Sequence, residues 1–307
     1  MTEQTKGFLL VILSAAGFSA MPIFARLAYQ HDVNIFELLT VRFLIAGLVL
    51  AGYLRVKPSF RPLTLRETGG AVIMGLCGYA VASLCFFGAL QRIPVPLASI
   101  LLYAYPALVT VIAGLARIEK FDRNKAAALL LSGLGIFLVF GFSFHTANTE
   151  GMVLALLAAL FYSGYVLIGN WALREAPLVA ATALISFSAA TGIGSYGLIN
   201  GQLFFNFGID GWAAISGLAI ISTVVAVLAF LQGVVLVGAS RASIISMLEP
   251  PFTVILAAVF LAETLTLVQL LGGVLILLSA VMANRKQVGS LGPGKSAPHR
   301  AGHTGHN

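Results

Sequence analysis

A glutamate followed by two prolines is the most chemically informative feature of this sequence. Glu249 lies seven residues into an apolar stretch, 242–262, and is followed directly by Pro250 and Pro251. The prolines lack backbone N–H groups and disrupt a helix, which frees carbonyl groups beside the carboxylate. In such a setting a carboxylate can hold the ammonium group of a ligand or exchange a proton, next to a hinge. The alternative is a structural glutamate whose oxygens accept hydrogen bonds from backbone donors at the break.

The composition defines the environment in which this glutamate must function. Of the 307 residues, 59% are hydrophobic and only 9% are charged, whereas soluble proteins carry about 25% charged residues. The apolar runs are long and unbroken, which excludes a soluble globule, a disordered chain and a barrel of alternating ten-residue strands. The sequence therefore predicts an all-α polytopic membrane protein.

A helix needs about 20 apolar residues to cross a bilayer, and ten stretches of this kind are present. They are 7–28, 36–54, 69–90, 95–116, 126–142, 150–172, 179–199, 212–236, 242–262 and 265–283. We refer to them as spans 1 to 10. Together they leave only short loops and a polar tail at 284–307, so no soluble catalytic domain is expected.

The distribution of lysine and arginine predicts the orientation of the chain. With a cytoplasmic N-terminus, fifteen of the 18 fall inside, Arg92 alone falls outside, and Arg26 and Arg42 fall within or near spans. This asymmetry follows the positive-inside rule. Both termini are therefore expected in the cytoplasm, and the net charge of +7 requires no nucleic-acid partner.

Three ionisable residues near the start of the chain are candidates for a gate. Arg26 and Glu37 are expected near the outer face, where they could form an ion pair that closes a pathway; the alternative is that Arg26 extends to the lipid headgroups. Arg42 lies deeper in span 2. An ionisable group at that depth is costly unless it has a partner or a function.

An internal repeat is visible when the chain is compared with itself at an offset of 144 residues. The clearest matches are Ala98-Ser99-Ile100, Pro106 and Glu119, which coincide with Ala242-Ser243-Ile244, Pro250 and Glu263. A unit of five helices is odd-numbered, so the second copy must be inverted relative to the first. Inverted repeats are typical of transporters, with the substrate site between the halves. The expected units are residues 1–143, 144–283 and a disordered cytoplasmic tail at 284–307.

Several motifs resemble those of one known family. They are Gly17-Phe18-Ser19-Ala20, Arg42, Tyr105-Pro106 through Glu119, and Leu248-Glu249-Pro250 through Glu263. They resemble the EamA family of the drug/metabolite transporter superfamily across residues 7–283, although many members carry Trp-Gly where this chain has Gly17-Phe18. The resemblance implies a 5+5 inverted-repeat carrier with a cavity lined by spans 1, 3, 4, 6, 8 and 9, and with spans 5 and 10 at the periphery. It also implies export of amino acids or related metabolites across a bacterial inner membrane, often in exchange for protons.

Polar residues on the implied cavity spans complete the candidate site, although small hydroxyl residues also serve close helix packing. The predicted substrate-binding residues are Glu249, Ser19, Tyr79, Tyr103, Ser163, Ser222 and Ser246, and the predicted hinges are Pro106, Pro250 and Pro251. Turn formation is the main role expected of Glu119 and Glu263.

The functional hypothesis is a secondary transporter that works by alternating access and is driven by protons. Its partners would be a small-molecule substrate, protons and the lipid bilayer. The alternatives are a carrier of an aromatic or apolar metabolite, working by uptake or exchange, and a membrane receptor or scaffold that transports nothing. An enzyme is not expected because no zinc motif, phosphate loop or Ser/His/Asp set lies within the spans, and no cofactor or metal is predicted. The sequence leaves open the substrate, the direction of transport, the coupling ion and the oligomeric state.

Overall fold

The computed structural model describes residues 2–56, 61–116, 123–143 and 148–290, which form helices joined by short turns. The first half contains α1 (Glu3–Ser19), α2 (Met21–Gln30), α3 (Ile35–Val56), α4 (Leu65–Ile73), α5 (Ala80–Leu90), α6 (Val95–Leu102), α7 (Tyr105–Leu115) and α8 (Arg123–Ser143). The second half contains α9 (Thr149–Ala172), α10 (Leu178–Ile199), α11 (Ile209–Ala219), α12 (Ala226–Val237), α13 (Ala239–Ser246), α14 (Glu249–Leu261) and α15 (Leu267–Ser290). No β-strand occurs within these ranges.

The described residues confirm the polytopic membrane class. Seven helical stretches are long and apolar enough to cross a membrane: Glu3–Gln30, Ile35–Val56, Leu65–Leu90, Val95–Leu115, Thr149–Ala172, Leu178–Ile199 and Ile209–Val237. Three shorter apolar helices accompany them, at Ala126–Val139, Glu249–Leu261 and Leu267–Ser279. The count of ten spans and the cytoplasmic position of the termini stay predictions. The last helix continues to Ser290, beyond residue 283, where span 10 is predicted to end.

Two helices are interrupted at positions related by the repeat. In the first half α6 ends at Leu102 and α7 begins at Tyr105, and 144 residues later α13 ends at Ser246 and α14 begins at Glu249. The second member of each pair carries proline in its first turn, where the missing N–H costs nothing. The predicted disruption of the helix at Pro106 and at Pro250 is therefore present, while their action as hinges stays a prediction.

Two further helices each contain a π-helical turn near a shared repeat position. The turn Met74–Tyr79 joins α4 to α5, and the turn Ile220–Val225 joins α11 to α12. Tyr79 and Thr223 are exactly 144 residues apart, so they are repeat counterparts. Turns of this kind occur mostly inside α-helices and frequently at functional sites.

The two halves pack against each other through equivalent helices. α3 packs along α10, and α8 packs along α15. In the second pair glycine permits close approach, because a Cβ added at Gly135 would lie 2.7 Å from the carbonyl oxygen of Gly272. Large apolar side chains such as Leu48, Phe137 and Val235 are exposed at 56%, 68% and 83%, which suits a surface surrounded by lipid.

Candidate functional site

A cavity of about 160 Å³ lies next to the break between α6 and α7 and reaches the first turn of α14. Its lining comes from both halves of the chain: Phe18, Met21, Arg42, Tyr79, Ala82, Ser83, Phe86, Phe87, Leu102, Tyr103, Tyr105, Tyr162 and Glu249. Pockets for drug-sized ligands usually measure about 300–1,000 Å³. This cavity therefore suits a small solute.

Glu249 provides the acidic group of the cavity. It is the first residue of α14, at the point where the chain resumes a helix after the break. Its carboxylate lies close to Tyr103 in the lining of the cavity, and Tyr103 lies in the equivalent break of the first half. Glu249 forms no ion pair with a lysine or arginine among the described residues, whose ion pairs involve other acids. Its carboxylate thus lies beside a neutral side chain and borders the cavity.

Arg42 provides the basic group, and its surroundings are unusual for a cation. The side chain is only 1% exposed. Its Nε donates a hydrogen bond to Thr223 Oγ1 at 3.1 Å, and one Nη donates to the Tyr79 hydroxyl at 3.4 Å. The guanidinium also lies 4.9 Å and 5.2 Å from the ring centres of Phe43 and Phe87, distances typical of cation–π contacts. The groups that contact the Arg42 guanidinium among the described residues are therefore neutral.

Five tyrosine rings form a row, which we call the tyrosine row. It begins at Tyr103, close to Glu249, and ends at Tyr79, which accepts a hydrogen bond from Arg42. Tyr103 contacts Tyr105, Tyr105 contacts Tyr162, Tyr162 contacts Tyr165, and Tyr165 contacts Tyr79, with ring centres 4.9–6.3 Å apart. These separations fall in the range of favourable aromatic pairs. The cavity thus has a largely aromatic wall that ends near Glu249 on one side and near Arg42 on the other.

Among the predicted substrate-binding residues, the structure brings Glu249, Tyr79 and Tyr103 together in this cavity. The four predicted serines, Ser19, Ser163, Ser222 and Ser246, are absent from its lining, and their role in substrate binding stays a prediction. The Ser222 hydroxyl is buried without a hydrogen-bond partner among the described residues.

The hydroxyls of the other three serines donate hydrogen bonds to backbone carbonyl groups. Ser19 donates to the Ala16 carbonyl and Ser246 to the Ala242 carbonyl. Ser163 donates to the carbonyl of Ala159 at 2.6 Å and to that of Tyr105 at 3.1 Å. Ser163 therefore satisfies a carbonyl group at the start of α7.

Arg26 forms its ion pair with Glu263 and not, as predicted, with Glu37. One Nη of Arg26 donates to Glu263 Oε1 at 2.8 Å and to the Ile93 carbonyl at 3.1 Å. The other carboxylate oxygen of Glu263 accepts the backbone N–H of Val95 at 2.6 Å. We call Arg26, Glu263 and Val95 the clamp. Glu263 therefore joins both halves of the chain and does more than form a turn, while Glu119 lies outside the described residues.

Glu37 anchors the chain that follows α10. Its carboxylate accepts backbone N–H groups of Asn34, Phe204 and Phe205 at 3.1, 2.9 and 2.6 Å. It is only 2% exposed. Glu37 thus bonds backbone donors of the chain, while Arg26 is engaged by Glu263.

Several cavity residues carried no distinctive signal in the sequence. Phe18, Met21, Phe86 and Phe87 lie in apolar runs where a side chain facing the cavity and one facing lipid look alike. Thr223, which accepts the Nε hydrogen bond of Arg42 from outside the lining, differs in this respect, since a polar residue in a span at least invites the search for a partner.

Comparison with known proteins identifies the family. The EamA-like transporter family matches residues 5–141 and again residues 149–285. An uncharacterized transporter of Archaeoglobus fulgidus is 29% identical over 231 residues, which cover 73% of this chain and 81% of that protein. The uncharacterized transporter YcbK of Bacillus subtilis is 27% identical over 286 residues, with coverage of 88% and 90%.

Two more distant similarities agree with this result. The uncharacterized inner membrane transporter YicL of Salmonella typhimurium is 24% identical over 302 residues, covering 92% of this chain and 96% of that protein. A solved crystal structure superposes with a TM-score of 0.63 at 15% identity, covering 94% of this chain and 99% of the other, which supports the fold alone. With the family matched in two copies along almost the whole sequence, the chain belongs to the EamA-like transporter family.

Proposed function

We propose that this protein is a proton-coupled secondary carrier that exports amino acids or related small metabolites by alternating access. In this proposal it lies in the inner membrane as a ten-span, 5+5 inverted repeat with both termini in the cytoplasm. Membership of the transporter family supports the carrier class. The proposal depends on one observation above all, which is that Glu249 faces a cavity between the two halves without a cationic partner among the described residues.

The position of Glu249 suits a coupling site for physical reasons. Ionisable groups at membrane depth are costly and are commonly functional. Interrupted helices in transporters bring binding groups to the middle of the membrane, between the repeats. Glu249 begins the second segment of such an interrupted helix, and its carboxylate has no cationic partner among the described residues. It can accept a proton in one state of the carrier and receive a solute ammonium group in another.

Alternating access requires elements that change their relative positions. The two helix breaks, before Pro106 and before Pro250, divide the cavity helices into shorter segments at equivalent places. The clamp joins α2 to the end of α14 and to the start of α6. In the proposed cycle the clamp closes one face of the cavity, and the segments beside the breaks move when it opens.

An apolar or aromatic metabolite is the second candidate substrate. Seven of the thirteen lining residues are aromatic, and aromatic rings pack favourably against a flat apolar solute. This candidate keeps the carrier function and changes only the solute and the direction, which would be uptake or exchange.

Reconstituted protein tests the proposal directly. Proteoliposomes containing a pH-sensitive dye are challenged with pooled amino acids and then with pooled aromatic metabolites. The wild type is expected to move protons in response to one pool, and Glu249→Gln is expected to lose this response. Glu150→Gln is the matched control, because Glu150 is a glutamate with a side chain 66% exposed and is not part of the cavity lining.

Two outcomes would count against the proposal. Full solute-dependent proton movement in Glu249→Gln would remove Glu249 from the coupling mechanism. No proton movement by the wild type with any pool would contradict proton coupling, and counterflow of labelled solutes would then show whether the protein is an uncoupled carrier.

A further inference from the structure

Arg42 is a buried cation that forms no ion pair with an acid among the described residues, and this imbalance has a consequence for the solute. The ion pairs among the described residues join Arg26, Arg61 and Arg92 to acids, and none includes Arg42. Removing a charge from water is costly unless an opposite charge or a complete set of hydrogen bonds compensates it. Two hydrogen bonds to neutral hydroxyls and two phenylalanine rings compensate only part of that cost.

The guanidinium retains donors that no described residue uses. An arginine has five N–H donors in a planar fork. Nε is used by Thr223, and one hydrogen of a single Nη is used by Tyr79. Arg42 belongs to the lining of the cavity, so its remaining donors are next to space that a solute can occupy. A planar fork of this kind matches a carboxylate, which can accept two parallel hydrogen bonds.

The two residues that orient Arg42 are counterparts in the repeat. Tyr79 ends the π-helical turn of the first half, and Thr223 lies in the π-helical turn of the second half, 144 residues later. Thr223 is itself held, because its hydroxyl donates to the Leu218 carbonyl at 3.1 Å. The guanidinium is therefore fixed by one group from each half, at the boundary across which the halves must move.

We infer that Arg42 is the binding group for an anionic carboxylate on the solute, with the body of the solute against the tyrosine row. This inference rests on the proposed function and narrows its substrate class to compact monocarboxylates with an apolar or aromatic body, including amino acids. Thr223 acts as a positioning residue that orients the guanidinium. An amine without a carboxylate leaves Arg42 uncompensated and binds poorly.

Three related ligands test the inference with purified wild-type protein. They are 3-phenylpropanoate, phenylalanine and phenethylamine, which share a phenyl ring. The first carries a carboxylate, the second carries a carboxylate and an amine, and the third carries an amine alone. Binding is measured by calorimetric titration in detergent. We expect both carboxylates to bind and phenethylamine to bind at least tenfold more weakly. The inference is overturned if phenethylamine binds as well as 3-phenylpropanoate, or if neither carboxylate binds.

Substitutions of Arg42 test whether this residue binds the carboxylate of the ligand. Arg42→Gln is expected to weaken binding of 3-phenylpropanoate at least tenfold, and Arg42→Lys to retain part of it. Arg174→Gln is the matched control because Arg174 is an exposed arginine outside the cavity lining. Equal affinity of Arg42→Gln and Arg174→Gln for 3-phenylpropanoate overturns the inference.

Substitutions at Thr223 keep the test valid if Arg42→Gln does not fold. Thr223→Val preserves the shape and the cation but removes the acceptor of the Nε hydrogen bond, so binding of 3-phenylpropanoate is expected to weaken severalfold. Thr223→Ser restores the hydroxyl and is expected to restore affinity. Unchanged affinity in Thr223→Val overturns the positioning role.

Flux measurements separate failure of this inference from failure of the proposed function. If the carboxylates bind through Arg42 but never cross the proteoliposome membrane, the carrier proposal fails and the anion site stands. If the wild type carries solutes that lack a carboxylate, and Arg42→Gln leaves that flux unchanged, the anion site fails and the carrier proposal stands.

Discussion

Replacing both members of the ion pair in the clamp is expected to reveal a strong interaction between the two halves of the chain. Arg26 and Glu263 are 237 residues apart and meet at 2.8 Å. The pair joins α2 to the end of α14, and the second oxygen of Glu263 accepts the N–H of Val95. Loss of the pair weakens the connection between the end of α14 and two segments of the first half.

The burial of the Arg26 and Glu263 side chains determines the coupling energy that we expect between them. The side chains of Arg26 and Glu263 are 22% and 19% exposed, so about four fifths of each is removed from solvent. Fully exposed ion pairs contribute about 0.2–1 kcal/mol, and hydrogen bonds to charged groups contribute about 1.5–3 kcal/mol. We therefore expect a coupling energy of about 1–3 kcal/mol, which corresponds to a factor of about 5–150 in an equilibrium constant.

A double-mutant cycle measures this coupling. Arg26→Gln, Glu263→Gln and the double variant are compared with the wild type by the free energy of unfolding in mixed micelles, and the cycle isolates the pairwise interaction. The control cycle uses Arg92 and Glu150, which form an exposed pair at 3.2 Å with side chains 34% and 66% exposed. This control is expected to give the smaller coupling of an exposed pair. A coupling between Arg26 and Glu263 within about 0.5 kcal/mol of zero would refute the reasoning.

Two further predictions concern the positions of loops and helices. Glu37→Gln weakens the bonds that the carboxylate accepts from the backbone of residues 204–205, so these amides should exchange hydrogen faster, and unchanged exchange would contradict the anchoring role. Gly135→Ala places a Cβ 2.7 Å from the Gly272 carbonyl oxygen and should lower the free energy of unfolding by about 1–3 kcal/mol. Gly133→Ala is the control, since its added Cβ meets nothing within 4 Å; equal losses in both variants would show that close packing is not the cause.

The elements of the fold were largely predictable because each rests on a local physical requirement. A membrane span needs a long apolar run, and such runs can be read directly from the sequence. The interruptions before Pro106 and Pro250 follow from the missing N–H and steric clash of proline. The π-helical turn at Met74–Tyr79 was not predicted, because its sequence differs little from that of an ordinary apolar helix.

The charged residues of the candidate site were the most predictable part of it. Glu249 and Arg42 could be selected because a charge at membrane depth requires a partner or a function. Ser163 could not be assigned, since its hydroxyl can face a cavity or bond a backbone carbonyl with equal local plausibility. The pairing of Arg26 with Glu263 depends on contacts between distant segments, which no local pattern specifies.

The most direct test of the account asks whether solute passes through the cavity between the two halves. Ser83 lines this cavity, and the two native cysteines, Cys77 and Cys85, are replaced by alanine to give the parent protein. A thiol reagent applied to Ser83→Cys is expected to abolish solute flux in proteoliposomes, to leave the parent unaffected, and to react more slowly when solute is present. Complete modification of Ser83→Cys with undiminished flux would contradict the account.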